Sequence, residues 1–149
     1  MLPKSGDLCV SISYQIDRTA ALIRTRCYGH VTLNEVLGHF RDLRQESALP
    51  KRLDVFLDLH EVTSRPTAEE IRIASKEPGA LQGTVTFGWC AIVVDRDALF
   101  GMARMWGILA EGSFAAVNVF RSTTEAEAWL EAQRLKESDS RNDHADLEP

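Results

Sequence analysis

The run RLDVFLDLHEV, residues 52–62, constrains this chain more than any other stretch. It has the length of a strand, and its apolar residues come densely instead of alternating with polar ones, as in a strand buried on both faces. Such a strand needs a paired neighbour on each edge and helices above and below. The rest of the chain has to supply them.

The flanking segments do so in a regular order. Val10, Ile12, Tyr14 and Ile16 alternate with Ser11, Ser13 and Gln15, which predicts a strand with one buried face. After a turn at DRTA, the segment ALIRTRCYG predicts a second strand, with Ile23, Thr25 and Cys27 on one face and Leu22, Arg24, Arg26 and Tyr28 on the other. These two strands form a hairpin. In TLNEVLGHFRDLRQES the period becomes helical through Leu33, Val36, Leu37, Phe40 and Leu43, and Thr32 with Glu35 makes a capping box. Thr67 with Glu70 opens a short helix that Pro78 and Gly79 break. TFGWCAIVVD predicts a fourth strand, residues 97–111 a third helix and AAVNVF a fifth strand, while Ser122 with Glu125 starts a last helix. The sum is an α/β domain with a five-stranded mixed sheet, an N-terminal hairpin followed by alternating helix and strand, and about four helices.

Composition narrows the function classes. A chain of 149 residues, 44% hydrophobic and 26% charged, fits one globular domain with one core. No apolar run approaches the roughly 18 residues of a membrane span. Polar residues interrupt the apolar start, so no signal peptide is expected and the chain is expected to be cytoplasmic. Cys9, Cys27 and Cys90 form no CxxC pair and read as small core fillers, which implies no metal and no disulfide framework. Of the net charge of −5, most falls in residues 137–149, with Glu137, Asp139, Asp143, Asp146 and Glu148 against one arginine. Residues 1–136 are therefore expected to form the single domain and 137–149 an acidic disordered tail. The body is close to neutral and has no basic cluster to meet phosphates, so no nucleic-acid partner is expected.

The element order, with the phrases VFLDLHEVT, LFGMARMW and VNVFRSTTEAEAWL, resembles the small bacterial STAS-like proteins of the SpoIIAA-like branch over roughly residues 10–135. The resemblance implies a five-stranded sheet with about four helices, and a regulatory or ligand-binding module without a settled enzymatic role. Classical anti-sigma antagonists of this type carry a phosphorylatable serine in an Asp-Ser-x-Gly turn after the strand that VFLDL matches. Here the turn reads HEVTSRPTAEE, without that motif and with Pro66 at its end. Thr63 and Ser64 are then the candidate phosphosites, because a phosphate there would sit near the helix start at Thr67.

The third helix carries the other candidates. At about 100° per residue, Ala98, Leu99, Met102, Met105, Trp106, Leu109 and Ala110 gather on one face, which is expected to be core. Phe100, Arg104, Gly107, Ile108 and Glu111 project on the opposite side, where Phe100 and Ile108 are apolar residues out of place. This side, with the loop KEPGALQGTVTFG over it, is expected to make a homodimer or protein contact, or to close a pocket. The alternative partner is a small apolar or lipid-like ligand beneath the helix, met by Trp89, Met102, Met105 or Trp106. Asp58 and His60 could share one side of a strand end, with Glu61 on the other, but no GxSxG, Walker loop or HExxH accompanies them. His30 and His39 lie far apart in the pattern and read as structural or solvated. No catalytic residue and no cofactor is assigned, and a non-enzymatic module is expected.

Overall fold

The structure, a computed structural model, describes residues 11–147. The roles expected for Cys9 and Val10 lie outside them. In chain order the elements are β1 (Ile12–Asp17), β2 (Leu22–Gly29), α1 (Leu33–Gln45), β3 (Arg52–Val62), α2 (Ala68–Ser75), α3 (Glu77–Ala80), β4 (Thr86–Val93), α4 (Asp97–Ala110), β5 (Ala116–Phe120) and α5 (Thr123–Leu147), with a 3-10 turn at Glu111–Ser113. The five strands form one sheet in the order β1-β2-β3-β4-β5. β1 and β2 pair antiparallel as the expected hairpin, and all later pairs are parallel. β3 is the central strand, as its apolar density demanded.

Strand order decides where the helices go. The chain moves one place along the sheet with each crossover, from β2 through β5, always in the same direction. Crossovers of one hand then lay their helices on one face of the sheet. α1, α2 and α4 accordingly share the face that carries Ile23, Val55 and Ile92. The other face presents Phe56, Trp89, Ala91 and Val93, and α5 covers it through Ala126, Trp129 and Leu130.

Local chemistry sets the ends. Thr32 and Thr67 both form the expected capping boxes with Glu35 and Glu70, and the Ser122 hydroxyl accepts the Glu125 amide at 3.3 Å. The Pro78–Gly79 break differs from expectation: α2 already ends at Ser75, and Pro78 sits in the first turn of the one-turn helix α3, where its missing N–H costs nothing. The last helix also differs. It continues into the segment expected as a disordered tail, as far as the last described residue, Leu147. Glu137, taken as the first tail residue, is tied to Arg52 and Trp89 of the sheet. These partners on β3 and β4 hold the helix at Glu137, where the local sequence is polar.

Gly88 marks an irregularity that matters for the site. β3 and β4 slip register between Leu53 and Val55, and the Asp54 carboxylate accepts the Trp89 amide at 2.8 Å. A Cβ at Gly88 would lie 2.1 Å from Asp54 Oδ1, so only glycine fits this bulge. The extra residue turns Phe87 and Cys90 to the same face and sends Trp89 to the other.

Candidate functional site

Between the sheet and α1, α2 and α4 lies an apolar cavity of about 310 Å³. Its floor is Ile23, Val55, Leu57 and Ile92, and Val36, Ile71 and Met102 enter from the three helices. On β3 the lining extends from Val55 to Val62, roughly 20 Å at about 3.3 Å per residue. The lining also crosses the sheet, from Ile12 on β1 to Phe87 and Ile92 on β4. Leu99 and Ile92 are buried at 4% and 1% exposure, whereas His30, Thr32 and Arg65 are exposed. The mouth thus lies just beyond the carboxyl ends of β2 and β3, the end at which open parallel sheets receive ligands.

Two loops build that mouth, and Ser64 joins them. Its hydroxyl accepts the Val31 amide at 2.9 Å and donates to the Val31 carbonyl at 3.2 Å. The Thr63 amide donates to the Gly29 carbonyl at 2.9 Å. Ser64 is thus a bridge between the β3–α2 and β2–α1 connections, while the Thr63 side chain faces solvent. At the start of α2 the Thr67 and Glu70 amides are engaged by the capping box.

His39 of α1 also lines the cavity. It makes edge contacts with Tyr14 and Phe40 at ring-centroid distances of 5.1 and 5.5 Å. Its Nδ1 is buried without a hydrogen-bond partner among the described residues. Burial pulls its pKa down to about 4, with Asp42 opposing weakly, so the ring is neutral at pH 7. Sequence reasoning set this residue aside. The available signal was its helical spacing, three residues after Val36 and four before Leu43, which turns it toward the apolar stripe.

The residues singled out on α4 divide differently from expectation. Met102 and Trp106 line the cavity, and Met105 is half-buried outside it. The face against the sheet is set by Leu99, Ala103, Gly107 and Ala110, so α4 is rotated from the expected setting and both Ala98 and Leu109 are exposed. Small residues win because β5 approaches closely: a Cβ on Gly107 would meet Val117 Cγ1 at 3.0 Å. Phe100 is half-buried beneath the Arg121 guanidinium, 4.4 Å from its ring centroid. Arg104 and Ile108 are exposed, Ile108 at 65%. The loop KEPGALQGTVTFG does not cover Ile108, because it folds into α3 and buries Pro78 and Leu81 beside α1 and the 3-10 turn. Trp89 does not reach the cavity. The Gly88 bulge points it at α5, where it packs edge-on to Trp129 at 6.3 Å.

The Asp58–His60 pair stands apart from the cavity as an exposed ionic cluster. His60 Nδ1 contacts Asp58, and its Nε2 is 3.4 Å from Glu61, which also pairs with Arg26. Glu61 shares the cluster because the β2–β3 register shifts between Arg26 and Tyr28 and breaks the alternation that would have separated it. The Asp58 hydrogen bond raises the His60 pKa. Both ring nitrogens thus face carboxylates.

No family model and no curated protein matches the chain. Among solved structures it is similar to an uncharacterised protein of the DUF3478 family from Shewanella loihica PV-4, which has a SpoIIAA-like fold. That likeness covers 80% of this chain and 94% of the other at 14% identity and a TM-score of 0.52. It establishes the SpoIIAA-like fold. Among the described residues, no helix is long and apolar enough to cross a membrane.

Proposed function

We propose that this chain is a non-catalytic regulatory module of the SpoIIAA-like type that takes up a small apolar molecule in the cavity beneath α1, α2 and α4. The cavity carries the reading. A well-packed domain of this size leaves few voids larger than a water molecule, whereas about 310 Å³ falls at the lower end of small-molecule sites. Its walls are apolar side chains with a few polar groups at one end, the arrangement that binds by burial and orients by a head group.

Native mass spectrometry of gently purified protein tests the proposal together with calorimetric titration of decanol. A bound mass that is lost on unfolding, or saturable uptake of one decanol, supports it. Val36→Trp fills the cavity from a half-buried position on α1 and abolishes uptake in a folded protein. Equal uptake by this variant would refute the assignment.

A second reading concerns partners. Ile108 and Leu109 are adjacent on α4 and exposed at 65% and 47%, next to Arg104. Burying such a side chain contributes about 1.5–3 kcal/mol, which supports a protein contact or homodimer through this face only if neighbours join it. Sedimentation of wild type and Ile108→Asp decides the homodimer: a monomer at all concentrations in both rules it out.

A further inference from the structure

We infer that the cavity's occupant is an amphiphile with an anionic head, its apolar tail against the sheet and its head at Arg65. The inference rests on the cavity reading above and goes further by naming the chemical class. The walls argue for an apolar body: behind the mouth they are Ile23, Val55, Leu57, Ile92 and Met102.

The charge at the mouth argues for the sign of the head. Arg65 lines the mouth, is exposed, and makes no ion pair or hydrogen bond among the described residues. By contrast Arg18, Arg24, Arg26, Arg44, Arg52, Arg72, Arg121 and Arg134 all have carboxylate partners. The nearest acid in the lining, Glu70, is spent on its own helix, accepting the Thr67 amide at 2.9 Å. Behind Arg65 the walls turn apolar at Val62, Ile71 and Leu59. A planar guanidinium with free donors at the rim of an apolar slot matches a carboxylate or phosphate whose tail is buried. Neutral His39 lies further in and presents no charge to the tail.

Calorimetric titration of full-length protein with decanoate, decanol and decylammonium, at low and high salt, tests this. Decanoate is expected to bind more tightly than the other two. Arg65→Gln should weaken decanoate about fivefold, the upper range for a solvent-open ion pair, leave decanol unchanged, and remove the salt dependence. The variant replaces an exposed, unpaired residue, so its thermal unfolding should match wild type. Equal affinity for decanoate and decanol, preference for decylammonium, or an Arg65→Gln ratio like wild type would overturn the anionic head while leaving the apolar cavity assignment intact. Failure of all three amphiphiles overturns both. Flotation on phosphatidylglycerol vesicles separates the sources: Arg65-dependent flotation without decanoate uptake makes the anion a membrane surface and overturns the inference.

Discussion

The indole N–H of Trp89, on β4, donates to Glu137 Oε2, on α5, at 2.8 Å, and Arg52 of β3 grips the same carboxylate. Beside them Arg134 donates to Asp54 Oδ2 at 2.6 Å. With Arg24 of β2 paired to Glu127 at 2.6 Å, the far face of the sheet is closed by one helix held at three ionic points, one of them in the acidic segment that composition alone assigns to a tail.

Removing residues 137–149, or making Glu137→Ala, should therefore destabilise the domain by about 1–3 kcal/mol, the range for a half-buried polar partner left alone. Urea unfolding measures this. An unchanged midpoint in both proteins would mean the body ends at Lys136.

Gly88→Ala should cost more than a surface change of equal size. Its Cβ would fall 2.1 Å from Asp54 Oδ1 and 2.5 Å from Arg52 Nε, both held in the network that docks α5. A loss of at least about 2 kcal/mol is expected, as for overpacking next to buried charge. The control Gly101→Ala meets nothing within 4 Å and should stabilise α4 by about 0.5–1 kcal/mol.

His39 predicts an acid-sensitive domain. Its folded pKa, about 4, is below the unfolded value near 6.5, so the unfolded chain takes up the proton first. Stability is then complete above pH 6.5 and falls as pH drops from 6.5 toward 4, by as much as about 3 kcal/mol. His39→Phe should flatten this limb in urea midpoints between pH 7.5 and 5. His60 acts in the opposite sense: its raised pKa gives a contribution present below 6.5 and lost as pH rises through the folded value. His60→Asn should leave the acid limb in place.

The rotation of α4 is open to a paired test. Gly107→Leu drives a side chain into Val117 and should cost about 1–3 kcal/mol. Ile108→Asp, one residue on, should stay within about 0.5 kcal/mol of wild type because Ile108 is 65% exposed. Thermal unfolding of the two variants reads the difference, and the reverse order would restore the setting expected from hydrophobicity.

Cys27 and Cys90 should differ in thiol labelling once Cys9 is replaced by serine. Burial pushes the Cys27 thiol up to about 12, and the Cys90 thiol higher still, so both are slow at neutral pH. Cys27 lines the cavity and Cys90 does not. Decanol is therefore expected to slow Cys27 labelling by a disulfide reagent and leave Cys90 unaffected; equal protection of both would point to general stiffening.

The local information in this chain was enough for its strands and for the starts of its main helices, though not for α3 or the extent of α5. The density of RLDVFLDLHEV, the alternation around Ile12 and Tyr14, and the Thr32–Glu35 and Thr67–Glu70 boxes act over a few residues, and strands, helices and their starts follow from them. The hairpin and the two faces of β2 followed in the same way. What tertiary structure alone decided was which apolar residue met which surface. Leu109 outranks Gly107 on any hydrophobic count, yet Gly107 is buried, because the spacing between α4 and β5 rewards the smaller side chain. Trp89 left the cavity through a bulge that depends on Asp54, 35 residues before it in the chain. The cavity, with His39 and Arg65 at its wall and mouth, exists only where three helices share one face of the sheet. Those contacts join residues far apart in sequence, and their balance of fit against burial is set by distances that no local pattern encodes.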